Sequence, residues 1–205
     1  MVKQEKSVKE IGLVLFLVAA AAFLRLLPHV PNFVPIAATA LFGGAYLSRR
    51  FAIAVPLSAM ALSDYLILYI NPFGPGGLPS FDFSHIYPLS AMFHTTTVYV
   101  WGSFLTSVFI GMWLKNHKKV GYIVGASFLA SLQFFLITNF GVWAGGMYSR
   151  DISGLVESYI MGLPFFRWTI LGDIFYTTAF FGLYEIAMWL SKRKTLDFYH
   201  LTHVR

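Results

Sequence analysis

The sequence contains no cysteine. That excludes disulfides, CxxC redox chemistry, thiolate metal ligands and a cysteine nucleophile. Charge is scarce as well: 12% of the 205 residues are Asp, Glu, Lys or Arg, against about 25% in an ordinary soluble domain. Catalytic signatures are missing too. No HExxH, GxSxG, GxGxxG or P-loop pattern occurs, so the chain reads as something other than an enzyme, with no resident cofactor and no means of fuelling itself with ATP. His85 and His94 are separated by a proline-containing loop, which is not the spacing of helical metal ligands.

Apolar residues fill the space that charge leaves. The chain is 57% hydrophobic and 18% aromatic, with too little polar surface to cover itself in water. A bilayer is the matching solvent, and helices or closed barrels are the structures that span it. Barrel strands alternate apolar and polar residues; this chain runs apolar for about 20 residues at a time, the length of a membrane helix. The expected fold is therefore all-α: one polytopic transmembrane domain over 1–205 with six transmembrane helices, at 11–27, 34–47, 51–70, 98–114, 120–140 and 166–190. The second segment is short, about 21 Å at 1.5 Å per residue, and is expected to be tilted, extended by Asn32 and Phe33, or partly inserted. The start of the chain resembles a signal peptide, with Lys3, Lys6 and Lys9 ahead of an apolar run that includes Ala19 to Ala22. That run is longer than the about 7–15 residues of a signal core and reads as the first span.

The net charge of +6 does not point to nucleic acid, because the basic residues sit in short clusters between the apolar runs. These are Lys3, Lys6 and Lys9; Arg49 and Arg50; Lys115, Lys118 and Lys119; and Lys192, Arg193 and Lys194. With Arg205 they leave only Arg25, Arg150 and Arg167 elsewhere among the 15 basic residues. Six spans put all four clusters on one side, which the positive-inside rule makes cytoplasmic, together with both termini. A model of five spans, without the short second one, splits the clusters across the membrane.

The connections on the opposite, outer side are the elaborate ones. Asn71 to Ser90 is rich in Pro and Gly, which forbid a long regular element. In the connection from Gly141 to Phe165, the residues Ile152, Leu155, Val156, Tyr159, Ile160 and Leu163 recur at helical spacing. An amphipathic outer helix is expected over 151–163, with Asp151 as its N-cap. Elaborate loops on one side suggest that a site opens there.

Polar residues inside or at the ends of spans are costly and are candidate site residues by default. Asp64 and Asp173 come from different spans at matched depth, about 9–10 Å below the outer face at 1.5 Å per residue. Arg25, Asn32, His94, Asn139, Trp143 and Arg167 lie at outer ends. Bland readings stand beside the functional one. Arg25 and Arg167 are long enough to snorkel to headgroups, and the two Asp residues suit pairing with Arg or a backbone group. Ala40 and Gly44 form a small-xxx-small pair, suited to packing within the bundle or to docking a partner subunit.

Three blocks carry a family resemblance: Asn32-Phe-Val-Pro-Ile-Ala-Ala-Thr-Ala-Leu-Phe-Gly-Gly-Ala-Tyr; Thr138-Asn-Phe-Gly-Val-Trp with Met147-Tyr; and Leu163-Pro-Phe-Phe-Arg-Trp-Thr-Ile-Leu-Gly-Asp. Together they resemble a family of bacterial membrane proteins that is similar to the substrate-binding S components of energy-coupling-factor vitamin transporters, nearest the solitary cobalamin-transport proteins of BtuM type. The resemblance implies a six-helix S-component-like bundle in the bacterial cytoplasmic membrane. It also implies an outward pocket under loops, uptake of a vitamin-like micronutrient such as cobalamin or a related corrinoid, and a membrane coupling subunit with ATPases as partners. Some BtuM-type proteins ligate cobalt through cysteine, which this chain lacks; His94 is the candidate cobalt ligand if a corrinoid binds. On this reading Arg25, Asn32, Asp64, His94, Asn139, Trp143, Arg167 and Asp173 line the pocket. Arg and Asn fix polar groups, Trp143 stacks on a planar ring, and the loops at 71–90 and 141–165 act as lids. Two alternatives remain open. One is a stand-alone proton- or ion-coupled carrier using a buried Asp; the other is a membrane enzyme or redox subunit acting on a lipid or quinone.

Overall fold

The computed structural model describes residues 2–203, with side chains from Glu10 to Ser191 and at Arg193. Arg205 and the side chains of Lys3, Lys6, Lys9, Lys192 and Lys194 lie outside the described residues. Within them the protein is all-α, built from six helices: α1 (Val2–Leu26), α2 (Ile36–Tyr46), α3 (Arg49–Leu66), α4 (Thr97–Leu114), α5 (Val120–Ala144) and α6 (Ile152–His203). The connection between α3 and α4 holds the one sheet among the described residues, an antiparallel pair of two-residue strands, β1 (Ile70–Asn71) and β2 (Ser80–Phe81). Two helices, α4 and α5, are long and apolar enough to cross a membrane by length and composition, and α2 is a shorter apolar helix.

Successive helices run in opposite directions. At one end the Glu10 carboxylate of α1 accepts from the Ser48 backbone N–H between α2 and α3. Lys118, between α4 and α5, lies over the Tyr46 ring, and the Tyr46 hydroxyl donates to Glu185 of α6. At the other end Arg25 of α1 reaches Asp64 of α3, and Trp101 of α4 reaches the same carboxylate.

The short helix α2 is the axis of the bundle. From Ile36 to Ala45 every residue is buried, so its length of about 16 Å at 1.5 Å per residue is no handicap: its ends are covered by neighbouring helices. Ala40, Leu41, Phe42 and Ala45 join Leu17, Val55, Val108 and Ala130 in the main core. Phe42 meets Phe181 and Tyr184 edge-on at ring separations of 5.5 and 5.4 Å. Gly44 of α2 faces Gly111 of α4 so closely that a methyl on Gly44 would meet the Met112 nitrogen, and one on Gly111 the Leu41 backbone. Gly44 of the small-residue pair is thus spent on contact inside the bundle.

The expected outer helix over 151–163 and the last span over 166–190 are one continuous helix, with Pro164 inside it. Of the apolar repeat, Ile152, Val156, Ile160 and Leu163 are exposed, whereas Leu155 and Tyr159 are half-buried, the Tyr159 hydroxyl donating to the Leu136 carbonyl at 2.9 Å. The buried face is instead Gly154, Ser158 and Gly162, at spacing i, i+4, i+8. Ser158 donates to the Asn139 carbonyl at 2.6 Å, and a methyl on Gly162 would collide with the Asn139 side chain. A stripe of small residues lets two helix backbones approach, while the bulky residues face away. The start of α6 therefore packs antiparallel along α5 as part of the bundle. The connection expected from Gly141 to Phe165 shrinks accordingly to the turn between Ala144 and Ile152.

Asp151 opens α6. Its Oδ1 accepts from the Gly154 N–H at 2.8 Å and the Ser149 hydroxyl at 2.9 Å, the contacts of an N-cap. The Gly154 N–H, and secondarily Ser149, hold this carboxyl below the ordinary carboxylate range. A depressed folded-state pKa stabilises above the unfolded value and is lost as pH falls through the folded one. Amides of residues 154–156 should exchange with deuterium faster in Asp151→Ala than in the parent at neutral pH, after correction for intrinsic rates. The gap should close in acid below the carboxylate range; a gap independent of pH would contradict the cap.

Candidate functional site

A cleft opens at the end where α1 turns into α2. Pro28 and Pro31 cannot extend α1, since proline lacks the N–H that a helix interior needs, and the chain between them doubles back. Asn32 takes a left-handed backbone conformation, φ 66°, the one non-glycine residue to do so among the described residues. Asn tolerates this region better than most residues, but the conformation still costs energy and concentrates at functional positions. The turn is held by the Phe33 N–H to the Val30 carbonyl, 2.9 Å, and by Gly172 of α6, which leaves room for Phe33: a Cβ there would stand 3.0 Å from the Phe33 Cα.

The cleft has two lobes. The first, about 310 Å³, is lined by Arg25, His29, Asn32 and His94 against Val34, Met60, Phe104 and Phe134. The second, about 330 Å³, lies between α5 and α6 and is lined by Asn32, Thr138, Asn139, Phe135, Phe166 and Thr169. A cavity of about 20 Å³ sits between them, with Asp173 and Thr169 on its wall. Asn32 and Phe134 border all three spaces. Apolar walls with a few convergent polar groups, at a few hundred Å³, are the usual make-up of a small-molecule site.

The polar groups differ in how much they have left to offer. Arg25 uses Nη1 for the Ser63 hydroxyl, 2.7 Å, and for Asp64. Its Nε and Nη2 donate to nothing else among the described residues, so they remain for a ligand. His29 Nδ1–H donates to the Leu27 carbonyl at 2.6 Å, which leaves Nε2 as the acceptor of the neutral ring. His94 engages the Thr96 hydroxyl through Nδ1 at 2.9 Å, while its backbone N–H donates to Thr97 Oγ1. Its Nε2 is likewise uncommitted.

The sequence candidates separate into three groups. Arg25, Asn32, His94 and Asn139 line the lobes, and Asp173 lines the small cavity between them. Asp64, 7% exposed, stands behind the first lobe with both oxygens engaged, one by Arg25 and the other by Trp101 Nε1 at 3.2 Å; it anchors Arg25 and does not line the lobe. Trp143 and Arg167 lie outside the cleft. Trp143 Nε1 donates to the Ser149 and Asp151 carbonyls, pinning the α5–α6 turn, and the residue lines neither lobe. Arg167 is exposed and lies over the Trp168 ring at 5.1 Å, on the side of α6 turned away from α5. The two Asp residues at matched depth do not form a dyad: Asp64 belongs to α1 and α4, whereas Asp173 accepts from Ser131 of α5 at 2.7 Å.

Sequence reasoning missed His29, Phe104, Phe134 and Thr169. His29 carried a usable signal, a polar residue inside a Pro-x-x-Pro break at the end of a span. Thr169 stands one turn before Asp173, a shared-face spacing. Phe134 carried none, being one of 21 phenylalanines. No group of three or more metal-ligating side chains exists among the described residues.

The chain belongs to the DUF6580 family. The family model, described as a family of unknown function, matches residues 5–196, a stretch that includes both lobes and all eight sequence candidates. No curated protein and no solved structure matches the chain.

Proposed function

We propose that this DUF6580 protein is a six-span protein of the bacterial cytoplasmic membrane that captures a small organic micronutrient from the outer face, in the cleft around Asn32. The observation that carries the reading is the two-lobed cleft itself: two spaces of a few hundred Å³, meeting at a strained Asn and a Phe, with spare donors and acceptors on Arg25, His29, His94 and Asn139. The aromatic walls suit a planar or ring-bearing ligand, and Arg25 suits an anionic or carbonyl group at its edge. Loop residues Pro72 and Phe73 border the first lobe, where a lid belongs. Transport by way of a membrane coupling subunit and ATPases is the partner arrangement that the S-component resemblance favours.

The membrane assignment is supported by apolar side chains on the outside of the bundle. Leu15, Phe16 and Phe23 of α1, Phe109 of α4, Phe128 and Leu136 of α5, and Phe175 and Leu183 of α6 are all more than two-fifths exposed. Apolar exposure on that scale supports contact with lipid. The basic turns gather at the end opposite the cleft, which supports a cytoplasmic placement of that end. For a corrinoid, the uncommitted Nε2 of His94 or of His29 is the nitrogen that would reach cobalt.

Mass spectrometry of protein purified from native membranes identifies the ligand, and binding of that ligand to variants tests the site. Phe134→Trp, which fills the junction of the lobes, and Asn32→Leu should each weaken affinity about tenfold or more, equivalent to the loss of about 1.4 kcal/mol. Arg167→Ala and Trp168→Phe, outside the cleft, should leave it within about twofold. Unchanged affinity in both cleft variants would refute the assignment.

A further inference from the structure

Asp173 is 2% exposed and has no cationic partner among the described residues. Its one protein hydrogen bond there comes from Ser131, to Oδ2. The nearest basic residue on its own helix, Arg167, is exposed, and Arg25 is committed to Asp64. A carboxylate in so dry a place must be neutralised, because burying an isolated charge costs far more than a hydrogen bond recovers.

The surroundings are shaped for something larger than a proton. The cavity beside Asp173 is about 20 Å³, space for one particle the size of a water molecule. Its polar lining is all hydroxyl, amide and carboxylate: Thr169, Asn32 and Asp173. Thr169 spends its proton on the Phe165 carbonyl at 3.1 Å, so its lone pairs remain. Asn32 makes no side-chain hydrogen bond within the described chain. One turn further in, the Thr177 hydroxyl is buried without a partner, as is that of Ser127, one turn from Ser131. Oxygen donors around one carboxylate select a hard cation. A single negative charge is balanced by a monovalent ion, whereas a divalent ion would leave a net positive charge in an apolar interior.

We infer that Asp173 anchors a sodium site at the junction of the two lobes, with Asn32 and Thr169 as further oxygen donors and Ser131 holding the Asp173 carboxylate in place. The inference does not depend on what organic ligand the cleft takes.

The full chain, purified in detergent and held at constant ionic strength with choline chloride, provides the test. Replacing choline by Na+ should raise the thermal unfolding midpoint in a saturable way, as a ligand bound only by the folded state does, and K+ should do so at several-fold higher concentration. Asp173→Asn should be folded and indifferent to Na+. Should that variant fail to fold, Thr169→Val and Ser131→Ala decide the matter: each should shift the Na+ midpoint several-fold upward. A parent protein whose unfolding is as indifferent to Na+ as to choline would overturn the inference. So would a Na+ response retained in Asp173→Asn, or, with that variant unfolded, an unshifted Na+ midpoint in both Thr169→Val and Ser131→Ala. A midpoint that follows pH but not Na+ would mean a simple protonated carboxyl and would also overturn it.

Discussion

Arg25→Met should destabilise the protein by about 3 kcal/mol, the lower end of the cost of removing one partner from a buried ion pair. The lower end applies because the Arg25 side chain keeps 21% exposure whereas Asp64 has 6%. Once the guanidinium is gone, the Asp64 carboxylate keeps Trp101 Nε1 at 3.2 Å and loses its counter-charge, while the Ser63 hydroxyl falls back on the Ala59 carbonyl. Methionine preserves the apolar stem, so the loss is electrostatic. The double variant Arg25→Met, Asp64→Leu should recover half or more of the loss, because an apolar pair of similar volume can replace a buried ion pair at little cost. Chemical unfolding of the four proteins in one detergent gives the coupling energy directly. A single-variant cost below about 1 kcal/mol would refute the reading of this contact as a stabilising buried ion pair.

That network also marks the limit of reading this chain from its sequence. The all-α architecture, the helix count and the gathering of basic turns at one end follow from hydropathy and charge, which are local properties of each segment. The cost of burying Asp64 and Asp173 was legible for the same reason. Their separate fates were not, because depth along a helix says nothing about azimuth: Asp64 meets α1 and α4, and Asp173 meets α5. Outer-end position brought Arg25, Asn32, His94 and Asn139 to the cleft, but it equally nominated Trp143 and Arg167, whose side chains turn elsewhere. The start of α6 misled in a different way. Ile152, Val156, Ile160 and Leu163 of the hydrophobic repeat are exposed; the Gly154, Ser158, Gly162 stripe carried the packing instead. Phe134 needed the fold before it could be recognised, whereas His29 was legible in its Pro-x-x-Pro break.

Gly111→Val should be more damaging than its size suggests. Overpacking a core ordinarily costs about 1–3 kcal/mol because side chains and short stretches of backbone can shift. At Gly111 the first added carbon meets the Leu41 carbonyl and stands 2.8 Å from the Leu41 Cα, and neither can move without moving α2. That helix is buried along its length, enclosed by the rest of the bundle. A loss of about 3 kcal/mol or more is expected, with Gly44→Val similar because its Cβ would stand 2.6 Å from the Met112 nitrogen. Gly125→Ala is the control: nothing lies within 4 Å of a Cβ there, and alanine in a helix should be neutral or stabilising by up to about 1 kcal/mol. The milder Gly111→Ala carries the functional consequence. It drives α2 and α4 apart, and these helices carry Ala37 and Phe104, which both line the cavity beside Asp173. Ligand affinity should therefore fall in Gly111→Ala even at a temperature where the variant remains fully folded, while Gly125→Ala binds as the parent does. Equal affinity in the two would show that the junction of the lobes is set by the Asn32 turn and α6 rather than by the spacing of α2 and α4.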